Sequence, residues 1–222
     1  MKRRNSRGNP HKFDATILRE YDIRGVVGDT LSVSDAYAVG RAFGSGVCRG
    51  GSGAVCVGYD GRLSSPEMEQ AVVEGLMDCG VEVVRVGLGP TPMLYFAVNV
   101  LSAAGGIMIS GSHNPPEYNG FKIMRGAKPF YGEDILKLGG IASAGDYEYG
   151  AGTARIEPML DRYVDRIIKD FSGGRDLKVA WDAGNGAAGE AMARVAAQLP
   201  GVHILLNEKI DGELPAHHPD PT

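Results

Sequence analysis

Short apolar runs alternate with longer segments of helical periodicity along this chain, and this alternation restricts the possible folds more than any other feature. The apolar runs have the length and composition of buried strands, and they lie at residues 54–59, 81–86, 107–109, 177–181 and 202–206. The helical segments lie at residues 34–47, 65–80, 91–100, 133–138, 157–171 and 189–199. Strands that alternate with helices of ten or more residues indicate βαβ units. The sequence therefore predicts an α/β fold with a mixed, mainly parallel sheet, helices on both faces, and the start of a second, similar α/β domain.

A segment without periodicity divides the two predicted domains. Residues 142–153 contain mainly Ala, Ser, Gly and Asp, with two tyrosines, which is the composition of a linker. We therefore expect a first domain over residues 13–150 and an incomplete second domain over residues 151–222.

The composition of the chain excludes several broad classes of protein. Hydrophobic residues make up 43% of the chain and charged residues 23%, as in a globular protein. The net charge of −4 does not suggest a nucleic-acid surface. No apolar run approaches the ~18 residues of a membrane span, and no apolar segment follows the basic first twelve residues. Three cysteines without Cys-x-x-Cys spacing predict reduced thiols. We expect a cytoplasmic protein without nucleic-acid or membrane partners.

The stretch from Gly105 to Met124 carries the clearest functional signal. The apolar run 107–109 ends in the small polar residues 110–114, and the chain becomes apolar again after Asn119-Gly120. Strand, polar loop, Asn-Gly turn and strand is the simplest interpretation. Such a loop holds the hydroxyl of Ser112 at the end of a rigid element. An ordinary surface turn has the same composition and remains the alternative at this point.

The order of residues in this stretch resembles the active-site loop of the α-D-phosphohexomutases. The pattern Ser-x-Ser-His-Asn-Pro followed by Asn-Gly-x-Lys is most similar to the bacterial phosphomannomutase/phosphoglucomutase branch. Further segments match the family in the family's order, from about residue 13 to residue 222: Tyr21–Gly25, Gly58–Arg62, Pro90–Pro92, Asp182–Gly186 and His217–Pro221. Several independent motifs in the same order make the resemblance specific.

The resemblance implies an intramolecular phosphotransferase that interconverts hexose 1-phosphate and hexose 6-phosphate, with mannose, glucose or both as the sugar. Ser112 would carry the phosphoryl group, and a hexose 1,6-bisphosphate would be the intermediate. Lys122 and Arg24 would transfer protons or stabilise charge, and the role of arginine is electrostatic because its pKa is so high. The residues that would orient the substrate or the serine are Tyr21, His113 and Asn114.

The resemblance also implies a Mg²⁺ ion held against the phosphate on Ser112 by an Asp-Gly-Asp-Gly-Asp loop, expected beyond residues 217–221. The 222 residues contain no such loop, nor the sugar- and phosphate-binding domains that follow it in the family. Phosphoryl transfer without its metal loses a large electrostatic contribution. We therefore expect an N-terminal fragment that is inactive as a mutase by itself. The alternative is a non-catalytic module that binds or senses sugar phosphates.

Three other patterns suggest rival functions. Residues 184–189 spell Gly-x-Gly-x-x-Gly, with Glu208 about 20 residues further on, as in a dinucleotide-binding fold. Too few residues follow for the rest of such a sheet, and the family assigns the glycines to a packing turn. Ser112 beside His113 could suggest a hydrolase, but the Gly-x-Ser-x-Gly elbow is missing there, and no P-loop motif is present. The pair His217-His218 is too small a set to make a metal site.

Overall fold

Two sheets form the β-structure of residues 9–51 and 53–217, the part of the chain that the computed structural model describes. The strands are β1 Ile23–Val26, β2 Val55–Tyr59, β3 Glu82–Leu88, β4 Gly105–Ile109, β5 Tyr118–Arg125, β6 Lys128–Phe130, β7 Thr153–Ile156, β8 Leu177–Asp182 and β9 Gly201–Leu206. The helices are α1 Val33–Arg49, α2 Ser65–Met77, α3 Thr91–Val100, α4 Glu133–Ala144, α5 Leu160–Lys169 and α6 Gly189–Ala196.

The larger sheet has the strand order β1-β5-β4-β2-β3-β7, and β6 pairs with β5. Strand β2 is parallel to β3 and β4, and β3 is parallel to β7. Strand β5 is antiparallel to β1, β4 and β6, so β5 alone runs against the other six. The predicted mixed, mainly parallel sheet is confirmed.

Alternating side chains of the sheet enter two apolar cores, one on each face. Val57 and Ile109 pack with residues of α1, α2 and α4. Cys56 and Met108, each one position away, pack with residues of α3 and with Met159. This period of two is the strand geometry that places neighbouring side chains on opposite faces. Both faces are covered by helices, as expected for parallel strands buried on both sides.

The sequence predicted a helix from about Ser34 with Ser34 itself as the cap, whereas helix α1 begins at Val33. Ser32, not Ser34, is the N-cap: its Oγ accepts a hydrogen bond from Asp35 N at 3.3 Å, and Ser32 N donates to Asp35 Oδ2 at 2.8 Å. The reciprocal pair needs an acceptor side chain three residues after the cap. Ser34 has Tyr37 at that position, whereas Ser32 has Asp35.

The predicted linker is largely structured. Helix α4 continues to Ala144, and β7 extends the large sheet beyond residue 150 by pairing with β3. Between them, Arg49 binds the carboxylates of Asp146 and Glu148. Strand β7 is exposed and not apolar, which explains why its sequence gave no strand signal. The division between residues 150 and 151 stays a prediction, while the large sheet itself extends to Ile156.

The second unit consists of β8, α6, β9 and residues 207–217. Its two strands are parallel, and α6 connects them. Helix α5 packs against this unit through Val164, which joins Ala191 and Val195 in a small apolar cluster. On its other side α5 reaches the first unit, which comprises the large sheet with helices α1 to α4. The rings of Tyr163 and Phe96 are 5.9 Å apart there. Among all the described residues, no helix is both long and apolar enough to cross a membrane.

Helices α1 and α2 cross at a point where their backbones touch. A Cβ atom on Gly40 would lie 2.4 Å from the carbonyl oxygen of Val72, and one on Gly75 would lie 2.3 Å from that of Tyr37. No side chain fits at either position unless the helices separate. Separation would open the core between α1, α2 and the sheet, where burial of each large apolar side chain contributes about 1.5–3 kcal/mol.

Gly40→Ala should therefore destabilise the chain, and Gly46→Ala in the same helix is its matched control. Overpacking at Gly40 should lower the free energy of unfolding by about 1–3 kcal/mol. A Cβ on Gly46 would have no described heavy atom within 4 Å. That variant should gain up to about 1 kcal/mol, because alanine is the better helix former. Urea denaturation measures both values, and equal effects of the two substitutions would contradict the close contact.

Candidate active site

Residues 110–117, which we call the Ser112 loop, connect β4 to β5. The base of the loop is closed by Ser110 N, which donates to Gly120 O at 2.9 Å. The predicted strand, loop and strand are present, but Asn119-Gly120 lies within β5 and does not form a turn. Asn119 is fully buried and donates to Ser64 Oγ at 2.8 Å and Ser65 Oγ at 2.9 Å. These two hydrogen bonds give the buried side-chain NH₂ group of Asn119 its acceptors within the protein.

Ser112 is exposed and has a left-handed backbone, with φ of +55°. This conformation costs a non-glycine residue about 1–2 kcal/mol, so contacts elsewhere must hold it. One contact is from Ser112 N, which donates to Ser110 Oγ at 3.0 Å. The hydroxyl Oγ lies 3.4 Å from His113 Nδ1. The strained backbone holds the serine hydroxyl outward at the end of β4.

Three charged side chains meet beside the loop. Arg24, only 4% exposed, donates to Gly111 O and to the carboxylate of Asp22. Lys122 Nζ lies 3.1 Å from Asp22 Oδ2. The antiparallel register that pairs Ile23 with Phe121 brings Asp22 opposite Lys122. The sheet itself therefore assembles this cluster.

The cluster has a net positive charge because Asp22 stays ionised between its two partners. Burial acts to raise the pKa of Asp22, but the hydrogen bond and charge of Arg24, together with Lys122, outweigh it and hold the pKa below its usual value of 3.8. Two cations and one carboxylate remain. Such an arrangement attracts a phosphate dianion.

The six residues that the sequence predicted for the site line one cavity of about 320 Å³. They are Tyr21, Arg24, Ser112, His113, Asn114 and Lys122. Tyr21 is 77% exposed, so its ring is available to a ligand at the mouth. The structure brings these residues together, while their catalytic and binding roles stay predictions.

Arg62 and Asp60 are site residues that sequence reasoning missed, although both lie in the Gly58–Arg62 segment that matched the family. Both are buried. Arg62 donates to four backbone carbonyl groups, three of them in the Ser112 loop. Asp60 accepts from Gly111 N at 3.0 Å. The family motif signalled these two residues, but the sequence does not show that they reach the Ser112 loop.

Ser112 also lines a second cavity, of about 350 Å³, which lies between the first and second units. The second unit contributes the loop after β8 and His217, whose Nε2 is 3.3 Å from Asp182 Oδ2. His218 lies outside the described residues. The glycines of residues 184–189 allow close packing: a Cβ on Gly189 would lie 1.9 Å from Glu208 O. That contact accounts for the third glycine of the motif without a nucleotide.

The described residues do not supply a Mg²⁺ site. Within them, no group of three or more His, Cys, Asp or Glu side chains is placed to hold a metal ion. Asp22 and Asp60, two of the carboxylates near the loop, each face an arginine. Magnesium requires six oxygen ligands in near-octahedral geometry.

Comparisons with known proteins point to one family. Residues 15–143 match the family described as phosphoglucomutase/phosphomannomutase, alpha/beta/alpha domain I. The chain is 45% identical over 207 residues to the phosphomannomutase/phosphoglucomutase of Pseudomonas aeruginosa, which corresponds to 93% of this chain and 45% of that protein. It is 39% identical over 208 residues to the phosphoglucomutase of Neisseria gonorrhoeae, with the same two coverages of 93% and 45%.

A solved structure agrees with these relatives. The crystal structure of a phosphoglucomutase/phosphomannomutase family protein from Burkholderia thailandensis superposes with a TM-score of 0.89 at 42% identity. The match covers 94% of this chain and 47% of that chain. The chain therefore spans about half the length of the relatives that it matches.

The charge cluster predicts a specific pH dependence for Asp22→Asn. A carboxylate whose pKa is lowered by folding stabilises the folded state above its unfolded pKa, and this contribution is lost as the pH falls through the folded value. At neutral pH the variant should lose about 3 kcal/mol of unfolding free energy, the lower end for a broken buried ion pair. This deficit should shrink below pH 3.8.

Denaturant titrations between pH 7 and pH 3 measure the effect, and Asp29→Asn is the control because Asp29 is an exposed carboxylate in the turn after β1. A deficit that stays constant over the whole range would show that Asp22 is not held ionised by its partners.

Proposed function

Since this chain belongs to the phosphoglucomutase/phosphomannomutase family, we propose that it is the N-terminal part of a phosphohexomutase in which Ser112 carries a phosphoryl group between O1 and O6 of a hexose. One observation carries the proposal. The exposed Ser112 hydroxyl shares a cavity with the cations Arg24 and Lys122. A serine used for phosphoryl transfer needs this combination of access and positive charge.

The proposed cycle has two transfers. First, a hydroxyl of the hexose monophosphate attacks the phosphorus of phosphorylated Ser112, the P–Oγ bond breaks, and the hexose 1,6-bisphosphate forms. The bisphosphate then turns around, Oγ attacks its other phosphorus, and the isomeric monophosphate leaves. In each transfer the attacking hydroxyl gives up a proton and the departing oxygen takes one, so no net acid or base is consumed.

The charged residues have distinct roles in this proposal. Lys122 transfers the proton between Oγ and the sugar hydroxyl, or stabilises the charge that develops between them. Asp22 orients the lysine ammonium group, which lies 3.1 Å away. Arg24 acts electrostatically, because its guanidinium does not deprotonate in proteins. Tyr21, His113 and Asn114 orient the substrate or the serine.

The two-domain division at residues 150 and 151 belongs to this proposal, as does an incomplete second domain over residues 151–222. The family likeness supports a Mg²⁺ requirement for the whole enzyme, but the described residues do not complete a site for the ion, so the roles above involve only side chains of this chain. We expect the chain alone not to interconvert hexose phosphates by repeated turnover, but to accept a single phosphoryl group on Ser112 in a slow half-reaction that its own residues support.

The second candidate is a non-catalytic module that binds sugar phosphates. The same cavity favours it, since residues 19–122 supply all of its lining cations. Binding alone requires the positive charge of Arg24 and Lys122 and does not require an accessible Ser112 hydroxyl. Transfer to Ser112 distinguishes the two candidates.

Incubation with glucose 1,6-bisphosphate should add one phosphoryl group to Ser112. Intact-mass measurement and peptide mapping should locate it there, Ser112→Ala should take up none, and Ser143→Ala should behave as the wild type. Ser143 is an exposed serine on α4 and provides the matched control. Saturable binding of the bisphosphate without any covalent phosphate would contradict the enzyme and support the binding module.

Replacement of Lys122 by methionine should slow this phosphorylation by about 10²-fold or more, the usual contribution of a proton-transfer group. Lys128→Met is the matched control, because Lys128 is an exposed lysine on the neighbouring strand β6. Rates are followed by mass spectrometry under single-turnover conditions. Equal rates for the two variants would remove Lys122 from the mechanism.

A further inference from the structure

We propose that Arg62 is a positioning residue for phosphoryl transfer, which fixes the Ser112 loop in the conformation that presents the Ser112 hydroxyl. The catalytic part of this inference rests on the proposed function of Ser112. The structural part rests on the contacts of Arg62, and these can be tested separately.

The four terminal N–H groups of Arg62 match four backbone carbonyl oxygens. Nη1 donates to Pro115 O and, at 3.0 Å, to Tyr118 O. Nη2 donates to Ser112 O at 3.1 Å and to Asn114 O at 2.6 Å. Arg62 is only 4% exposed, so these bonds form largely out of contact with water. Charge-assisted hydrogen bonds of this kind are the strong ones.

Asp60 holds the guanidinium from the opposite side. Its Oδ2 atom lies 3.3 Å from Arg62 Nε and also accepts from Gly111 N at 3.0 Å. Its Oδ1 atom accepts from Ser65 Oγ at 2.6 Å. Burial acts to lower the pKa of Arg62 and the Asp60 charge opposes this, so the carboxylate offsets part of the cost of burying the cation. The pair forms a rigid support under the loop.

Gly111 lets the guanidinium lie directly against the loop backbone. A Cβ atom at this position would be 2.1 Å from Arg62 Nε and 2.2 Å from its Cζ. Any side chain at residue 111 would therefore displace the guanidinium from the carbonyl groups that it binds. Gly111, which has no side chain, therefore leaves the space that the guanidinium of Arg62 occupies.

Residues of the second unit pack against the turn that carries Arg62. A Cβ on Gly61 would lie 2.3 Å from Ile210 Cγ2, and a Cβ on Gly212 would lie 2.8 Å from Leu63 N. Residues 210–212 thus pack directly on residues 61–63. This contact restricts the turn, and with it the arginine, from outside the first unit.

The consequence for Ser112 is both geometric and electrostatic. Arg62 binds Ser112 O and Arg24 binds Gly111 O, so the peptide groups on both sides of the Ser112 Cα atom are oriented by guanidinium groups. This restraint maintains the left-handed backbone of Ser112. The same contacts keep the negative carbonyl oxygens of Gly111 and Ser112 turned toward the arginines. These oxygens therefore do not repel a phosphoryl group on Oγ.

Arg62→Lys tests the geometry while keeping the positive charge. Lysine has three donors on one atom and cannot reproduce the fork of arginine. Gly111→Ala is the second variant. It leaves Arg62 in the chain, but the added methyl group occupies the space of the Arg62 guanidinium. Arg41→Lys is the matched control. Arg41 is equally buried, but it lies on α1 and stacks on Tyr147 and Tyr149, at 4.8 and 4.6 Å from the ring centres.

Two measurements are made on each variant of the 222-residue chain. Hydrogen exchange should become about tenfold faster in residues 111–118 for Arg62→Lys and Gly111→Ala, with exchange in the helices unchanged. Phosphorylation of Ser112 by glucose 1,6-bisphosphate should slow about tenfold or more in the same two variants. Arg41→Lys should change neither quantity, even where its overall stability falls.

Unchanged exchange in residues 111–118 of both variants would overturn the inference. Faster exchange with an unchanged phosphorylation rate would also overturn it, because the loop would then be held for stability alone. If the wild-type chain takes up no phosphate, the proposed function fails, and the exchange rates alone decide whether Arg62 fixes the loop.

Discussion

Two buried guanidinium groups determine the conformation of the loop on which the site depends. Arg24 and Arg62 come from different parts of the first unit, and together they bind five backbone carbonyl groups between Gly111 and Tyr118. A loop of this composition would otherwise be an ordinary mobile turn. Because the two arginines bind the carbonyl groups of the loop, the loop has little freedom to reorganise. The Ser112 hydroxyl is therefore held in place, as an electrostatically preorganised site requires.

The pairing register of the sheet brings together the other charged side chains of the site, Asp22 and Lys122. Strand β5 runs antiparallel to the other strands of this sheet, and its pairing with β1 places Lys122 opposite Asp22. Strand β4 ends at the loop, and its neighbour β2 ends at the turn that carries Asp60, whose N–H binds Ile109 O at 2.9 Å. The carboxyl ends of parallel strands therefore bring together groups that are about 50 residues apart in the sequence. This is the usual position of a binding site in an α/β sheet.

The six residues that the sequence proposed for the site line one cavity, but the groups that support the Ser112 loop were not predicted. The motif around Ser112 and the motif around Arg24 both reach one cavity, and the alternation of strands and helices predicted the sheet correctly. The position of Asn119-Gly120 within β5 was not predicted, because the buried amide needs the hydroxyl partners Ser64 and Ser65, at the N-terminus of α2. Arg62 was not assigned to the site, because its partners are backbone carbonyl groups and carry no side-chain signal. Strand β7 was missed because it is short and exposed and has no run of apolar residues.

We infer that the Ser112 loop already has the conformation needed for phosphoryl transfer before Ser112 is phosphorylated. A crystal structure of the chain made with phosphoserine at position 112 would show whether this is so. We expect Arg62 to keep its carbonyl contacts and a phosphoryl oxygen to lie about 2.7–2.9 Å from Lys122 Nζ, the length of a charge-assisted hydrogen bond. A loop that leaves Arg62, or a phosphoryl group that turns away from Lys122, would contradict this inference.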